Sequence, residues 1–167
     1  MLNLLIIICI YWVYKYSRRW IYVHLFLFFP ATLAHELMHY VVALITFGKP
    51  KAPYLWPRKT ELGWVAGHVD CQRLTAFNVV PIAMAPFVLL PLAYWCYQQS
   101  HYSVSTQQVA LWIIAAGICF IGAIPSRHDF KLMFRFPISV LLWGAICLVA
   151  SWLYIEPKIR PLTPALQ

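Results

Sequence analysis

Two histidines four residues apart flank a glutamate at His35-Glu36-Leu37-Met38-His39. On a helix, positions four apart share a face, so both imidazoles can reach one metal ion while Glu36 stands beside it. Two such nitrogens, a third protein ligand and a water make a catalytic zinc site, in which the metal acidifies the water and a neighbouring carboxylate takes its proton. The motif lies in apolar sequence, between Ala31-Thr32-Leu33-Ala34 and Tyr40-Val41-Val42-Ala43-Leu44-Ile45. Three ionisable groups in one apolar turn are costly unless they are used, which favours a functional site over a packed, hydrogen-bonded turn.

The elements that must position this motif are membrane segments. Of 167 residues, 62% are hydrophobic and 11% charged, against about 25% charged in an ordinary soluble domain. The mean hydropathy is +0.69. This composition predicts an all-α membrane protein, a polytopic helical bundle forming one domain over residues 1–167. The formal charge of +8 is no nucleic-acid signature, because Lys and Arg fall between the apolar runs. There they orient membrane segments and meet anionic headgroups of the lipid bilayer. Five scattered cysteines imply neither a disulfide framework nor a CxxC metal site. No basic residue precedes the first apolar run and no small-residue cleavage site follows it, so a removable signal peptide is not expected.

About five membrane segments are expected, over residues 2–19, 20–47, 75–97, 107–124 and 138–155, or four if the first is interfacial. Leu2 to Tyr14 supplies only 13 apolar residues, short of the roughly 20 that a spanning helix needs. Residues 20–47 carry the motif and would form a helix of about 42 Å. Pro30 should bend that helix, and Gly48 with Pro50 should end it. If segments alternate, the N-terminus, the 49–73 loop and the 122–137 stretch share one side of the membrane, side A. The Lys15–Trp20 belt, the 98–108 loop and a flexible, Pro-rich tail at 156–167 then share side B. Eight Lys and Arg on side A against five on side B favour side A as cytoplasmic by the positive-inside rule, although Lys15, Arg18 and Arg19 after the first run locally argue the reverse. Within the 49–73 loop, Leu62 to Cys71 alternates as a short strand or hairpin edge would. Such an edge either holds an extended peptide by main-chain pairing or is an ordinary interfacial loop.

The third ligand can be narrowed by side. His101 belongs to side B, and His24 lies 11 residues before the motif, about 16 Å along a helix. Asp129, His128, His68 and Asp70 all arrive from side A. Asp129 has a second role open to it, since Ser126-Arg127-His128-Asp129 fits a capping box that opens a helix. The roles are compatible if one carboxylate oxygen meets the metal and the other accepts the cap hydrogen bond. The motif lies 8 to 12 residues before Phe47, so Asp129 needs a dipping segment to reach it, for which Gly122 and Pro125 provide irregular backbone. Asn78 and His68 are candidates for binding substrate, Asn78 alternatively as a helix-packing amide.

HELMH in an early apolar segment, followed two segments later by the lone aspartate of Pro-Ser-Arg-His-Asp-Phe, resembles the site-2 protease type of intramembrane zinc metalloprotease. Its PSRHDF stretch is similar to the compact zincin-like members of that group. The resemblance spans most of residues 20–137, but only the HELMH and PSRHD stretches are specific. It implies a Zn2+ cofactor held by His35, His39 and Asp129, Glu36 as the catalytic base, and membrane proteins or peptides as substrates. It also implies a multi-pass protein of the bacterial inner membrane with its site toward the cytoplasm. The chain departs from the family pattern in two places: Asn78-Val79-Val80-Pro81 is not followed by Leu-Asp-Gly, and no glycine follows Asp129. A metal-transporting protein or an inactive scaffold are the alternative readings of the same residues.

Overall fold

Long apolar runs with internal prolines fold into helices that break where a backbone N–H is missing. The computed structural model describes residues 2–17, 19–56, 58–60, 63–65 and 67–159. In chain order the elements are α1 (Leu2–Ser17), α2 (Ile21–Ile45), β1 (Arg58–Thr60), β2 (Gly63–Val65), α3 (Val79–Met84), a 3-10 turn (Ala85–Val88), α4 (Leu89–Tyr102), α5 (Thr106–Gly122), α6 (Arg127–Phe134) and α7 (Pro137–Ile159). Four stretches are long and apolar enough to cross a membrane: Phe26–Ile45, Val79–Tyr102, Thr106–Phe134 and Pro137–Tyr154. At 16 residues α1 falls short, so four of the expected five segments have spanning length. α7 continues to Ile159, which makes the start of the expected 156–167 tail helical; residues 160–167 lie outside the described residues.

α2 bends at Phe28, whose φ of −113° and ψ of 17° leave the helical region two residues before Pro30. Its last turn closes as a Schellman motif, with Gly48 N–H on the Ala43 carbonyl (2.7 Å) and Phe47 N–H on the Leu44 carbonyl (3.1 Å). The left-handed position is Phe47, at φ 56°, rather than the glycine. Gly48 is needed for a different reason: a Cβ there would stand 3.1 Å from the Ala43 carbonyl and 3.2 Å from Ile82 Cδ1.

The 49–73 loop is a narrow antiparallel ladder. β1 pairs with β2 through Arg58–Val65, Lys59–Trp64 and Thr60–Gly63. Nearer α2 the arms are joined by bridges at Tyr54–His68 and Pro50–Cys71. The register gains a residue in the outgoing arm between Pro50 and Tyr54, where Pro53 offers no N–H to the ladder. Asn78 ties the base of this loop. Its Oδ1 accepts from Thr75 N–H (2.8 Å), and its Nδ2 donates to the carbonyls of Arg73 (2.9 Å) and Thr46 (3.4 Å).

One expectation fails at α1. Alternation of sides puts Asn3 and Ser100 on opposite faces of the membrane, yet Asn3 Nδ2 donates to Ser100 Oγ at 3.0 Å in the last turn of α4. α1 runs parallel to α5, with Ile10 against Gly117 and Tyr11 edge-on to Phe120. The missing Cβ of Gly117 lets Ile10 Cδ1 settle, 3.2 Å from where that atom would be. The small core of Phe28, Ala31 and Ile121 is closed by Ile10, Tyr14 and Ile118. α7 packs on α3, where Ser139 Oγ accepts from Val80 N–H (3.3 Å) and Trp143 Nε1 donates to the Phe77 carbonyl (2.7 Å). Most of the α7 side chains described beyond Ser139 are exposed: Leu141 and Leu148 are each 74% exposed, an apolar surface of the kind that hydrocarbon, not water, accommodates.

Candidate metal centre

His35 and His39 project from successive turns of α2 past the kink, and each ring is fixed by a main-chain carbonyl that a helix break has freed. Pro86 has no N–H to give to the carbonyl of Ile82 four residues earlier, so that oxygen is bonded only through a 3-10 contact from Ala85. It is left open to His39, whose Nδ1 donates to it at 2.6 Å. Gly122 is the last residue of α5, where carbonyls have no partner ahead of them. His35 Nδ1 donates to its oxygen at 2.8 Å. This approach requires glycine, since a Cβ on residue 122 would lie 2.9 Å from the Ala31 carbonyl and 3.1 Å from Leu89 Cδ1.

With Nδ1 protonated and engaged, each neutral imidazole presents the Nε2 lone pair. The two Nε2 atoms face each other at 3.1 Å. Asp129 closes the triangle, with Oδ1 3.2 Å from His39 Nε2 and Oδ2 3.4 Å from His35 Nε2. Three lone-pair donors converging in this way repel one another unless a proton or a metal ion lies between them. A four-coordinate ion with bonds of about 2.0–2.1 Å holds its donors about 3.3 Å apart, and the observed separations bracket that value. His35, His39 and Asp129 can therefore hold a metal ion, and they form the one such group among the described residues. Glu36, His39 and Asp129 are each only 6% exposed, and the His35 side chain is 12% exposed.

Asp129 reaches the histidines because the chain turns back between α5 and α6. Ser126 caps α6, accepting from Asp129 N–H at 3.2 Å, while Asp129 Oδ2 accepts from Ser126 N–H at 2.6 Å. The capping box foreseen for this carboxylate is formed, and because its bond falls on Oδ2 and leaves Oδ1 toward His39, it does not prevent Asp129 from holding a metal ion as well. The other candidates lie elsewhere. His68 is in the loop ladder, its Nε2 3.7 Å from Asp70 Oδ2 and its ring 5.4 Å from that of Tyr54. His128 is exposed on α6. Asn78 spends its amide on the backbone at the base of the loop.

Glu36 shares the electrostatic neighbourhood of His35, His39 and Asp129. Its neighbour from the loop is Gly67, where a Cβ would come within 2.8 Å of Glu36 Cγ and 3.0 Å of Oε1. The returning arm of the ladder thus lies with its backbone directly on the Glu36 side chain. Gly67, Pro86 and the Ile82 carbonyl were not identified from the sequence as parts of the site, and Gly122 was identified only as irregular backbone on the way to Asp129. A glycine inside an alternating strand pattern is a signal for close backbone approach, and a proline inside an apolar helix is a signal for a freed carbonyl.

Comparison with protein-family models, with curated proteins and with solved structures yields no match to this chain. The functional reading therefore rests on the geometry of the centre and on the sequence motifs that form it.

Proposed function

We propose that this chain is a membrane-embedded zinc metallopeptidase that hydrolyses peptide bonds of membrane-associated proteins or peptides. The observation that carries the reading is the HExxH pair and Asp129 set at tetrahedral donor spacing, with a carboxylate, Glu36, next to one ligand in sequence and buried with them. The four apolar stretches of spanning length and the exposed apolar residues of α7 support a multi-pass membrane location. The family resemblance favours the bacterial inner membrane with the centre toward the cytoplasm.

His35, His39 and Asp129 hold the ion, with the two carbonyl bonds at Nδ1 keeping both rings oriented and their Nε2 atoms basic. Zinc in such a site supplies Lewis acidity to a water and to the scissile carbonyl. Glu36 takes the proton of the attacking water and passes it to the departing amine. A scissile carbonyl within a helix is shielded by its own hydrogen bond, so the substrate must be extended there. The returning arm of the loop, lying on Glu36 at Gly67, offers extended main chain beside which a peptide could pair.

The test is Glu36→Gln in the purified protein, assayed with a reporter peptide carrying one transmembrane segment. Wild type and variant should each hold one zinc per chain, and only wild type should cleave. Cleavage that survives the substitution at the wild-type rate removes Glu36 as the base, and absence of zinc from both proteins removes the metallopeptidase reading.

A further inference from the structure

α6 has two faces of different chemistry. Asp129 is buried toward the metal centre, with Leu132 and Met133 partly buried beside it. At 100° per residue, Arg127, Lys131, Arg135 and His128 occupy the opposite side, flanked by Phe130 and Phe134, and all six are exposed. Phe130 is 40% and Phe134 68% exposed. No acidic side chain interrupts this face, and Asp129 is the only carboxylate between Asp70 and Glu156. Among the described residues the ion pairs join His35 and His39 to Asp129 and His68 to Asp70, so the three cations of α6 have no ionic partner. α6 links α5 to α7, and three cations on one face are costly in hydrocarbon, so this face belongs at the level of headgroups or water.

A solvated face would need no phenylalanines, and an interface for an acidic protein segment would not need them beside the cations at helix-neighbour spacing. Cations with exposed aromatic rings are what a headgroup layer accommodates, the charges at phosphate depth and the rings at the acyl boundary. We propose that the outer face of α6 binds anionic phospholipid headgroups, and that this contact regulates the metal centre by holding Asp129 in place. The proposal rests on the reading of His35, His39 and Asp129 as a metal site. The coupling is mechanical and short. α6 is two turns long, its first turn carries Asp129, and the capping box with Ser126 makes ligand and helix start a single unit. A lipid contact that fixes the outer face fixes the carboxylate on the inner one.

The experiment is zinc affinity by chelator competition, on the full chain in nanodiscs of phosphatidylcholine alone or of phosphatidylcholine mixed with phosphatidylglycerol. Coupling between two sites on one protein is typically about 5- to 150-fold, and it is reciprocal. The expectation is zinc binding tighter by about fivefold in the anionic discs. High salt, or the combined Arg127→Gln, Lys131→Gln and Arg135→Gln substitutions, should erase that difference. In return, zinc should raise phosphatidylglycerol enrichment around the protein by the same factor. The wild-type comparison needs no variant, so misfolding of the triple variant would not rescue the proposal. Equal zinc affinity in the two discs overturns it while leaving the metal site standing, whereas zinc binding in neither disc refutes the metal site itself. Inorganic phosphate or polyglutamate added to neutral discs should have no effect. A rise in affinity with either would reassign the face to free anions or to acidic protein and overturn the lipid assignment.

Discussion

Gly122→Ala probes the seam on which the centre depends. The added Cβ would stand 2.9 Å from the Ala31 carbonyl, about 0.5 Å inside ordinary contact, and 3.1 Å from Leu89 Cδ1. Leu89 can rotate, but a main-chain carbonyl in the middle of α2 cannot. The end of α5 must therefore retreat from α2 by several tenths of an ångström, carrying with it the carbonyl that accepts from His35. That bond, now 2.8 Å, would stretch to or beyond the 3.2 Å limit of good N–H···O geometry. Loss of a hydrogen bond that orients a metal-ligating histidine ordinarily costs 10- to 100-fold in metal affinity. The ring here keeps a weakened bond, so the lower end is expected: about tenfold, or about 1.4 kcal/mol. Overpacking should add about 1–3 kcal/mol of destabilisation. The assay is zinc affinity by chelator competition together with thermal unfolding, with Gly144→Ala as the control. Nothing lies within 4 Å of a Cβ at residue 144 of α7, so that variant should bind zinc normally and unfold no earlier than wild type. Wild-type zinc affinity in Gly122→Ala would refute the argument that close approach of α5 to α2 sets the histidine.

The two roles of Asp129 should separate by substitution. Asp129→Asn keeps an oxygen for the Ser126 N–H and should lower zinc affinity with little loss of stability, while Asp129→Ala should lose zinc affinity and about 1 kcal/mol of stability as well, read by the same two measurements. Pro86→Ala restores an N–H aimed at the Ile82 carbonyl, so it should weaken zinc binding about tenfold by competing with His39 while leaving the melting temperature unchanged or raised. Gly67→Ala should displace the Glu36 carboxylate and cut peptide cleavage at unchanged zinc content. Full activity in that variant would show that the loop arm does not position Glu36.

What could be read in advance was whatever resides in side-chain type and spacing. His35 and His39 are local on one helix, and Asp129 stands out because carboxylates are rare in this chain. Pro30 marked the bend two residues from where it falls. The partners of the two rings could not be read in the same way, because a carbonyl has no letter in the sequence. Whether it is free depends on a missing N–H four residues ahead or on the end of a helix, and only the fold brings it to a histidine 43 or 87 residues away. The direction of α1 failed for a related reason. Alternation holds for segments that cross, while a 16-residue helix is free to lie along whichever neighbour offers a groove, here at Gly117.

The way the two imidazoles are held has a consequence for how this protein can fail and drift. Centres oriented by second carboxylates or amides lose their geometry when one of those side chains is replaced, and such positions are easy to recognise. Here the orienting groups are the oxygens of Ile82 and Gly122, which no substitution at those residues can delete. Inactivating changes that spare His35, Glu36, His39 and Asp129 should therefore concentrate at residues that shape the main chain, above all Pro86 and Gly122. Ile82 itself should tolerate other apolar side chains. A random-mutagenesis screen for loss of zinc would recover backbone-shaping positions in preference to polar neighbours, and variability at position 82 would carry no information about the integrity of the centre.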